Sequence, residues 1–258
     1  MAALVTGAAK RLGRAMALAL AEAGHDVAVH YAGSEAEAEE TAAAIRKIGR
    51  KAVTLKADLL DEGETQALLP RAAEALGQPV TVLVNNASIF EYDNIDSMTR
   101  ESWDRHIESN LRAPVVLTQA LAAQAPKAIA DADGEPQAQA LVVNMVDQRV
   151  NKLTPEFMSY TIAKMGLWAF TRTAAQALAP HVRVNAIGPG PTMQGARQSD
   201  AHFARQRQAT VLQRGSDPEG IVEALLFFLR ARAVTGQLIC VDGGQHLAWQ
   251  TPDILGVE

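Results

Sequence analysis

The chain has 258 residues, 48% of them apolar and 21% charged, and a formal net charge of −5. That length allows one large or two small globular domains with a substantial core, and the acidic balance gives no electrostatic footprint for nucleic acid. A single cysteine, Cys240, excludes an internal disulfide. No basic-then-apolar leader opens the sequence, and no apolar run approaches the roughly 20 residues of a membrane span. We therefore expect a soluble, cytoplasmic protein.

Short β-rich runs alternate with longer segments of helical periodicity, which predicts a parallel sheet covered by helices on both faces. The first two helical patterns stop at Gly24 and Gly49, and glycine is favoured in a left-handed helix cap. No linker or repeat divides the chain, so we expect one domain over 1–258. The expected strands are 2–6, 26–30, 52–57, 80–84, 140–145, 182–187 and 237–241.

Two polar segments interrupt this alternation. Residues 131–139 contain glycine and proline and are expected to form a surface loop before a strand. Residues 188–216 begin GPGPTMQG and show weak periodicity. A long irregular stretch after the carboxyl end of a strand is either a substrate lid or disordered. We predict a lid.

The segment LVTGAAKRLGRAMA places a strand, a turn of small residues and a helix in succession. Gly7 allows a tight turn with close backbone approach, and Gly13 lets the helix pack near the sheet. The amides at the start of that helix favour a phosphate group. The sequence therefore predicts a phosphate-binding turn at the front of an α/β chain.

TGAAKRLG resembles the TGxxxGxG turn of the short-chain dehydrogenase/reductase family, with Arg11 where the middle glycine usually stands. That replacement is similar to the turn of the pteridine reductases in this family, and it would put a cation beside the cofactor pyrophosphate. The resemblance implies a single doubly wound Rossmann-type domain with a mainly seven-stranded parallel sheet. It also implies a homotetramer, assembled through the helices that carry Asn110 and Tyr160.

The end of the second strand favours NADPH over NADH. An NAD enzyme usually has an acidic residue there that accepts from the ribose 2′-hydroxyl, whereas here His30, Tyr31, Ala32, Gly33 and Ser34 precede the first acid, Glu35. One departure is that the pteridine reductases carry a second arginine where Gly33 stands. The resemblance assigns the cofactor site to Gly7, Arg11, Leu12, Gly13, His30, Tyr31, Ser34, Asp58, Leu59, Asn86, Ala87, Ser88, Tyr160, Lys164, Pro189, Gly190 and Thr192.

Tyr160 and Lys164 are spaced as the family's YxxxK pair, which places both on one face of a helix. A nearby ammonium stabilises the phenolate and moves a phenol of pKa near 10 toward useful acid–base behaviour. By resemblance, Lys164 also binds the nicotinamide ribose and Tyr160 donates a proton as hydride arrives. Asn110 in ESNLRAP matches the family's helix asparagine, thought to hold a water beside the lysine.

Asp147, thirteen residues before Tyr160, stands where most of the family has a serine that holds the substrate carbonyl. An ionised carboxylate cannot donate a hydrogen bond, so it serves a carbonyl poorly. The pteridine reductases share an aspartate here, and an Asp–Tyr pair can relay a proton to a ring nitrogen. A structural, salt-bridged aspartate is the alternative interpretation.

Phe90 follows NNASI, where pteridine reductases place a ring over the substrate. The predicted substrate-binding residues are Arg11, Ser88, Phe90, Asp147 and Tyr160, and the predicted catalytic residues are Asn110, Asp147, Tyr160 and Lys164. The leading hypothesis is an NADPH-dependent reductase of a dihydropterin or dihydrofolate. The alternatives are a carbonyl reductase acting on a 3-oxoacyl thioester or another ketone, and a cofactor-binding regulator without turnover. None of these hypotheses requires a metal.

Overall fold

The structure, a computed structural model, describes residues 1–194 and 198–249. One parallel sheet of seven strands runs through it, in the order β3-β2-β1-β4-β7-β8-β9. All seven strands predicted from the sequence are present, within one or two residues of their expected ends. Their bounds are β1 Ala2–Val5, β2 Asp26–Tyr31, β3 Ala52–Lys56, β4 Val80–Asn85, β7 Ala140–Met145, β8 Val182–Pro189 and β9 Leu238–Val241.

Helices cover both faces of the sheet, which confirms the doubly wound α/β fold. Met16, Ile45 and Phe228 lie in the hydrophobic cluster on one face, and Leu68 and Leu117 lie in the cluster on the other. The helices are α1 Arg11–Glu22, α2 Glu35–Lys47, α3 Glu62–Leu76, α4 Arg100–Ile107, α5 Ala113–Gln124, α6 Met158–Leu178, α7 Asp200–Gln208 and α8 Pro218–Arg230, with a π-helical turn Glu108–Arg112 and 3₁₀ turns Gln148–Asn151 and Gln245–Leu247.

The strand order reverses between β1 and β4, because the chain runs outward through β2 and β3 and then returns to the other side of β1. In open parallel sheets, ligands bind in the crevice at the carboxyl ends of the strands where the order reverses. The turn at Gly7 follows β1 and the turn at Asn86 follows β4, so both lie at this point.

Two connections have more structure than the sequence predicts. The predicted surface loop includes β6 (Pro136–Gln137), which pairs antiparallel with β5 (Ile129–Ala130). The predicted irregular segment 188–216 contains α7, capped by the Ser199 side chain, which accepts from the His202 backbone N–H. Because α7 buries none of its residues, it has no apolar stripe from which a helix could be predicted.

Within the described residues, no helix is long and apolar enough to cross a membrane.

Candidate active site

The turn after β1 is shaped by two glycines. Gly7 has φ +61°, and its N–H donates to His30 Nδ1 at 3.0 Å. A Cβ on Gly13 would lie 2.1 Å from the Gly7 carbonyl oxygen, so only glycine fits there. The Asn86 side chain closes the turn from β4, because its Nδ2 donates to the Thr6 carbonyl at 2.8 Å. The close approach predicted for both glycines is therefore present.

Arg11 opens α1 with φ +53°, and its guanidinium reaches across the cleft. It donates to the Met193 carbonyl at 3.1 Å and to the Gln194 carbonyl at 2.9 Å. The sequence predicts this arginine beside a pyrophosphate. The structure keeps it in the cleft wall, where it also ties the start of α1 to the segment after β8.

His30 at the end of β2 is buried and supports the turn instead of presenting a free donor. Its Nδ1 accepts from Gly7, and its Nε2 lies 3.1 Å from the Ala57 carbonyl, so the proton is on Nε2. Burial lowers the pKa of His30 to about 4, which keeps the ring neutral. Tyr31 is buried in the core, and Ser34 is the N-cap of α2. Neither residue lines the cleft, although the sequence predicts both as cofactor-binding residues.

One cation that lines the cleft is a residue that the sequence reasoning missed. Lys10 lines the cleft together with Ala32, and its Nζ lies 2.5 Å from Glu37 Oε1. A lysine here offers a point charge to a 2′-phosphate. The signal was present in TGAAKRLG, where Lys10 directly precedes Arg11.

One cleft of about 1150 Å³ gathers most of the predicted residues along the carboxyl edge of the sheet. A cleft of this size and position, with amides at a helix start and a cation near the end of β2, fits an extended dinucleotide such as NADP(H). The predicted residues that line it are Gly7, Arg11, Leu12, Gly13, His30, Asp58, Leu59, Asn86, Ala87, Ser88, Phe90, Asp147, Pro189, Gly190 and Thr192.

The Thr192 hydroxyl is already engaged within the protein. It bonds the Ser216 hydroxyl and donates to the Gly190 carbonyl at 3.1 Å. Gly190 allows the chain to pass close to Asp242, because a Cβ on Gly190 would lie 2.5 Å from Asp242 Cβ. The Thr192 hydroxyl can still accept a hydrogen bond from a cofactor, whereas donating one requires it to give up the Gly190 carbonyl.

Asp147 and Tyr160 form a hydrogen-bonded pair. The Tyr160 hydroxyl donates to Asp147 Oδ2 at 2.9 Å, and the Arg149 backbone N–H donates to Asp147 Oδ1 at 2.8 Å. Burial raises the pKa of Asp147, although the hydrogen bonds and two nearby cations act against it. Burial, and next the charge of Asp147, raise the pKa of Tyr160 well above its usual value. Tyr160 therefore keeps its proton and donates it to the Asp147 carboxyl group.

Tyr160 and Lys164 share one face of α6, as their spacing predicts. Lys164 Nζ donates to the Met145 carbonyl at 2.8 Å and lies 5.6 Å from the centroid of the Tyr160 ring. Burial lowers the pKa of Lys164 to about 8. The expected fall in the Tyr160 pKa is not seen, because burial and the charge of Asp147 outweigh the lowering effects of the Arg149 charge and the Ser88 side chain.

Asn110 shapes the cleft from behind its wall. It is fully buried in the π-helical turn, where its Oδ1 accepts from Ile89 N–H at 2.9 Å and its Nδ2 donates to the Ile89 carbonyl at 2.8 Å. These two bonds fix the backbone between Ser88 and Phe90. The water-holding role implied by the resemblance remains a prediction.

A row of aromatic rings runs from Tyr160 along the wall of the cleft. The Phe90 ring is 52% exposed, meets Tyr160 edge-on at 4.7 Å, and stacks on Phe157 at 4.3 Å with 9° between the planes. Tyr92 meets Phe157 at 5.2 Å. The sequence reasoning missed Phe157, whose only signal was its position three residues before Tyr160.

A buried polar cluster holds the start of α6. Asp93 accepts from the Ser159 backbone N–H at 3.1 Å and from the Ser159 hydroxyl, and that hydroxyl lies 2.6 Å from His106 Nδ1. Ser159 directly precedes Tyr160 and is fully buried. The cluster therefore fixes the position of the tyrosine.

The comparisons with known proteins agree with this geometry. The family model described as "Enoyl-(Acyl carrier protein) reductase" matches residues 7–246. The 3-oxoacyl-[acyl-carrier-protein] reductase FabG of Staphylococcus epidermidis is 31% identical, over 95% of this chain and 98% of that protein.

Solved structures are similar along the whole fold. FolM alternative dihydrofolate reductase 1 from Brucella canis, in complex with NADP, has a TM-score of 0.90 and 43% identity, over 98% of this chain and 96% of that one. The Brucella suis protein of the same name has 44% identity and the same TM-score, over 98% and 97%. The reductase LugOII, of lugdunomycin biosynthesis, has a TM-score of 0.84 and 30% identity, over 95% and 97%. The chain belongs to the short-chain dehydrogenase/reductase family of oxidoreductases.

Proposed function

We propose that this enzyme is an NADPH-dependent reductase of pteridines, acting on a dihydropterin or on dihydrofolate. The observation that carries the proposal is the Asp147–Tyr160 hydrogen bond of 2.9 Å beside the exposed ring of Phe90. A carboxyl group suits a ring nitrogen better than a carbonyl oxygen. The similarity to two proteins named as alternative dihydrofolate reductases supports the same substrate class.

Reduction of a dihydropterin adds hydride to a ring carbon and a proton to the neighbouring nitrogen. NADPH, when bound, supplies the hydride and leaves as NADP⁺. Asp147 lines the cleft, whereas Tyr160 lies behind it and is only 5% exposed. Asp147 therefore passes a proton to the ring nitrogen, and the Tyr160 hydroxyl, which donates to Asp147 Oδ2, supplies that proton along their hydrogen bond. The Lys164 ammonium offsets the negative charge left on the pair.

Phe90 provides the surface for a flat substrate. One face of its ring is covered by Phe157, and about half of the side chain is exposed. A pterin ring against the free surface gains about 1 kcal/mol from stacking, beyond the apolar area that it buries. The same contact contributes little for a flexible acyl chain.

The cofactor proposal rests on charge at the end of β2. Among the described residues, no acidic residue from the carboxyl end of β2 lines the cleft to select a ribose 2′-hydroxyl, and Lys10 and Ala32 both line it. Solved relatives are in complex with NADP. We assign the 2′-phosphate to Lys10, with Arg11 close to the pyrophosphate.

Two further parts of the proposal concern the segment 188–216 and the assembly. Met193, His202 and Phe203 line the cleft, which supports a lid made of this segment.

Exposed apolar side chains on α6, Ile162 and Met165, support a homotetramer assembled through this helix. Light scattering of the purified protein measures the assembly directly.

A carbonyl reductase is the second candidate, favoured by the 31% identity to a 3-oxoacyl-[acyl-carrier-protein] reductase. It predicts turnover of an acetoacetyl thioester and little effect of Phe90→Ala. The pteridine proposal predicts instead that Phe90→Ala raises the KM for a dihydropterin by roughly 5- to 10-fold, the loss of about 1 kcal/mol of stacking.

The test of the proposed function is Asp147→Ser, with NADPH oxidation followed against a dihydropterin and an acetoacetyl thioester. We expect dihydropterin kcat/KM to fall at least 100-fold, because general acid catalysis contributes roughly 10²–10⁴-fold. The control is Asp133→Ser, in the exposed 131–139 connection. Unchanged or faster dihydropterin turnover in Asp147→Ser would refute the proposal.

A further inference from the structure

Arg149 is a cation of the cleft wall to which the proposed chemistry assigns no contact with the substrate. It lies in the 3₁₀ turn directly after Asp147, and its guanidinium carbon is 5.2 Å from the centroid of the Phe157 ring. Its Nη1 donates to the Thr154 hydroxyl, whereas its Nε is buried without a hydrogen-bond partner. A buried donor without a partner costs free energy, so the protein's own hydrogen bonds do not fully satisfy this guanidinium.

The other cations that line the cleft are already engaged. Lys10 pairs with Glu37 at 2.5 Å, and Arg105 pairs with Glu91 at 3.0 Å. Arg11 donates to two backbone carbonyls of the segment after β8. Among the residues that the structure describes, no carboxylate forms an ion pair with the Arg149 guanidinium.

The position of Arg149 relative to the rings sets where an anionic group would lie. Tyr160, Phe90 and Phe157 follow one another at 4.7 and 4.3 Å, and Arg149 contacts the last of them. Phe90 and Arg149 therefore both contact Phe157 in the wall of one cleft, so the tail of a substrate bound at Phe90 has a cation within the same cleft.

Phe157 is held in an unusual conformation at this point. Its φ is +55°, which a residue with a bulky side chain rarely adopts, and the surrounding structure must stabilise it. The stacking of Phe90 on one side and the guanidinium contact fix its ring as part of the cleft wall. The strained residue and the unpaired cation thus belong to one surface.

We propose that Arg149 binds a carboxylate on the tail of the substrate, so that the enzyme prefers a reduced pterin with an anionic tail, such as dihydrofolate, over one with a neutral tail. The inference rests on the proposed function and narrows it. An arginine offers paired donors that match a carboxylate, and a site built for a charged group discriminates against a substrate that lacks it.

The test compares dihydrofolate with dihydrobiopterin, whose tail is neutral, in the unmodified enzyme and in Arg149→Gln. We expect the variant to lose about 10- to 100-fold in kcat/KM for dihydrofolate, the value of a hydrogen bond to a charged group. The kcat/KM for dihydrobiopterin should change less than about 3-fold, which is within the value of a neutral hydrogen bond. Arg149→Lys should recover part of the loss.

Arg172→Gln is the matched control, because Arg172 also lies over an aromatic ring, Trp168 at 5.0 Å, but outside the cleft. Arg172→Gln should leave the kcat/KM for both substrates unchanged. Raising the ionic strength should raise the KM for dihydrofolate in the unmodified enzyme and have little effect in Arg149→Gln. Thermal unfolding of each variant establishes that it is folded.

An equal loss of kcat/KM for both substrates in Arg149→Gln would mean that Arg149 acts by positioning Asp147. That result would leave the proposed function standing and overturn the inference. A variant that retains its full preference for dihydrofolate would overturn it as well. Turnover of neither substrate by an unmodified enzyme that binds NADPH would overturn the proposed function itself, and the inference with it.

Discussion

Lys164 is expected to cost the folded protein stability in exchange for its function. It is 2% exposed, and among the described contacts its Nζ has one hydrogen-bond acceptor, the Met145 carbonyl. Burial lowers its pKa from 10.5 to about 8. At about 1.4 kcal/mol for each pKa unit, keeping this lysine charged at pH 7 costs the folded state about 3 kcal/mol.

Lys164→Met removes that cost and also removes one hydrogen bond, which contributes about 1 kcal/mol. We therefore expect the variant to unfold with a free energy about 2 kcal/mol higher at pH 7, and with a Tm about 4 to 8 °C higher. Its turnover should be lost, because the charge beside Tyr160 is lost. Lys127→Met, at an exposed position, is the control for replacing a lysine by methionine.

The stability difference between Lys164→Met and the unmodified protein should fall as the pH rises. Because the pKa of Lys164 is lower in the folded protein, the unfolded chain binds more protons between about pH 8 and pH 10.5. The free energy of unfolding of the unmodified protein should therefore rise relative to that of Lys164→Met between these two pH values, and the advantage of the variant should shrink. Urea unfolding at pH 7 and pH 9.5 measures both differences. A variant less stable than the unmodified protein at pH 7, or a difference that does not shrink with pH, would refute the reasoning.

Three more variants test the support of the site. Gly13→Ala should lower the free energy of unfolding by about 1–3 kcal/mol and weaken NADPH binding, because the new Cβ would lie 2.1 Å from the Gly7 carbonyl oxygen. Urea unfolding measures the first effect, and fluorescence titration with NADPH measures the second. Asp93→Ala should cost about 3 kcal/mol or more in urea unfolding, because the buried bonds to Ser159 are lost. Lys10→Gln should raise the Kd for NADPH about 10-fold and leave the Kd for NADH unchanged; equal effects on both cofactors would contradict its assignment.

The fold was predictable because its signals are local. Each strand is a short apolar run. The turn after β1 is marked by Gly7 and Gly13, which are spaced so that the backbone at Gly13 packs against the Gly7 carbonyl. Helix α7 was missed for the opposite reason. It buries none of its residues, so the sequence has no periodic apolar face there, and only the Ser199 cap marks its start.

The identities of the site residues were more predictable than their contacts. Asp147 and Tyr160 form the expected pair, but Asn110 bonds Ile89 and Arg11 bonds Gln194 across 183 residues. Such partners depend on the tertiary structure and leave no spacing in the sequence. The raised pKa of Tyr160 likewise follows from burial, which spacing alone cannot show.

The substrate that the unmodified enzyme reduces is the most direct test of its proposed function. Purified protein would be mixed with NADPH, and the absorbance of the cofactor followed with a dihydropterin and, separately, with an acetoacetyl thioester. We predict rapid oxidation with the dihydropterin and little with the thioester, because Asp147 and Phe90 form a site for a flat ring with a protonatable nitrogen. Turnover of the thioester alone would contradict the account and favour the carbonyl reductase.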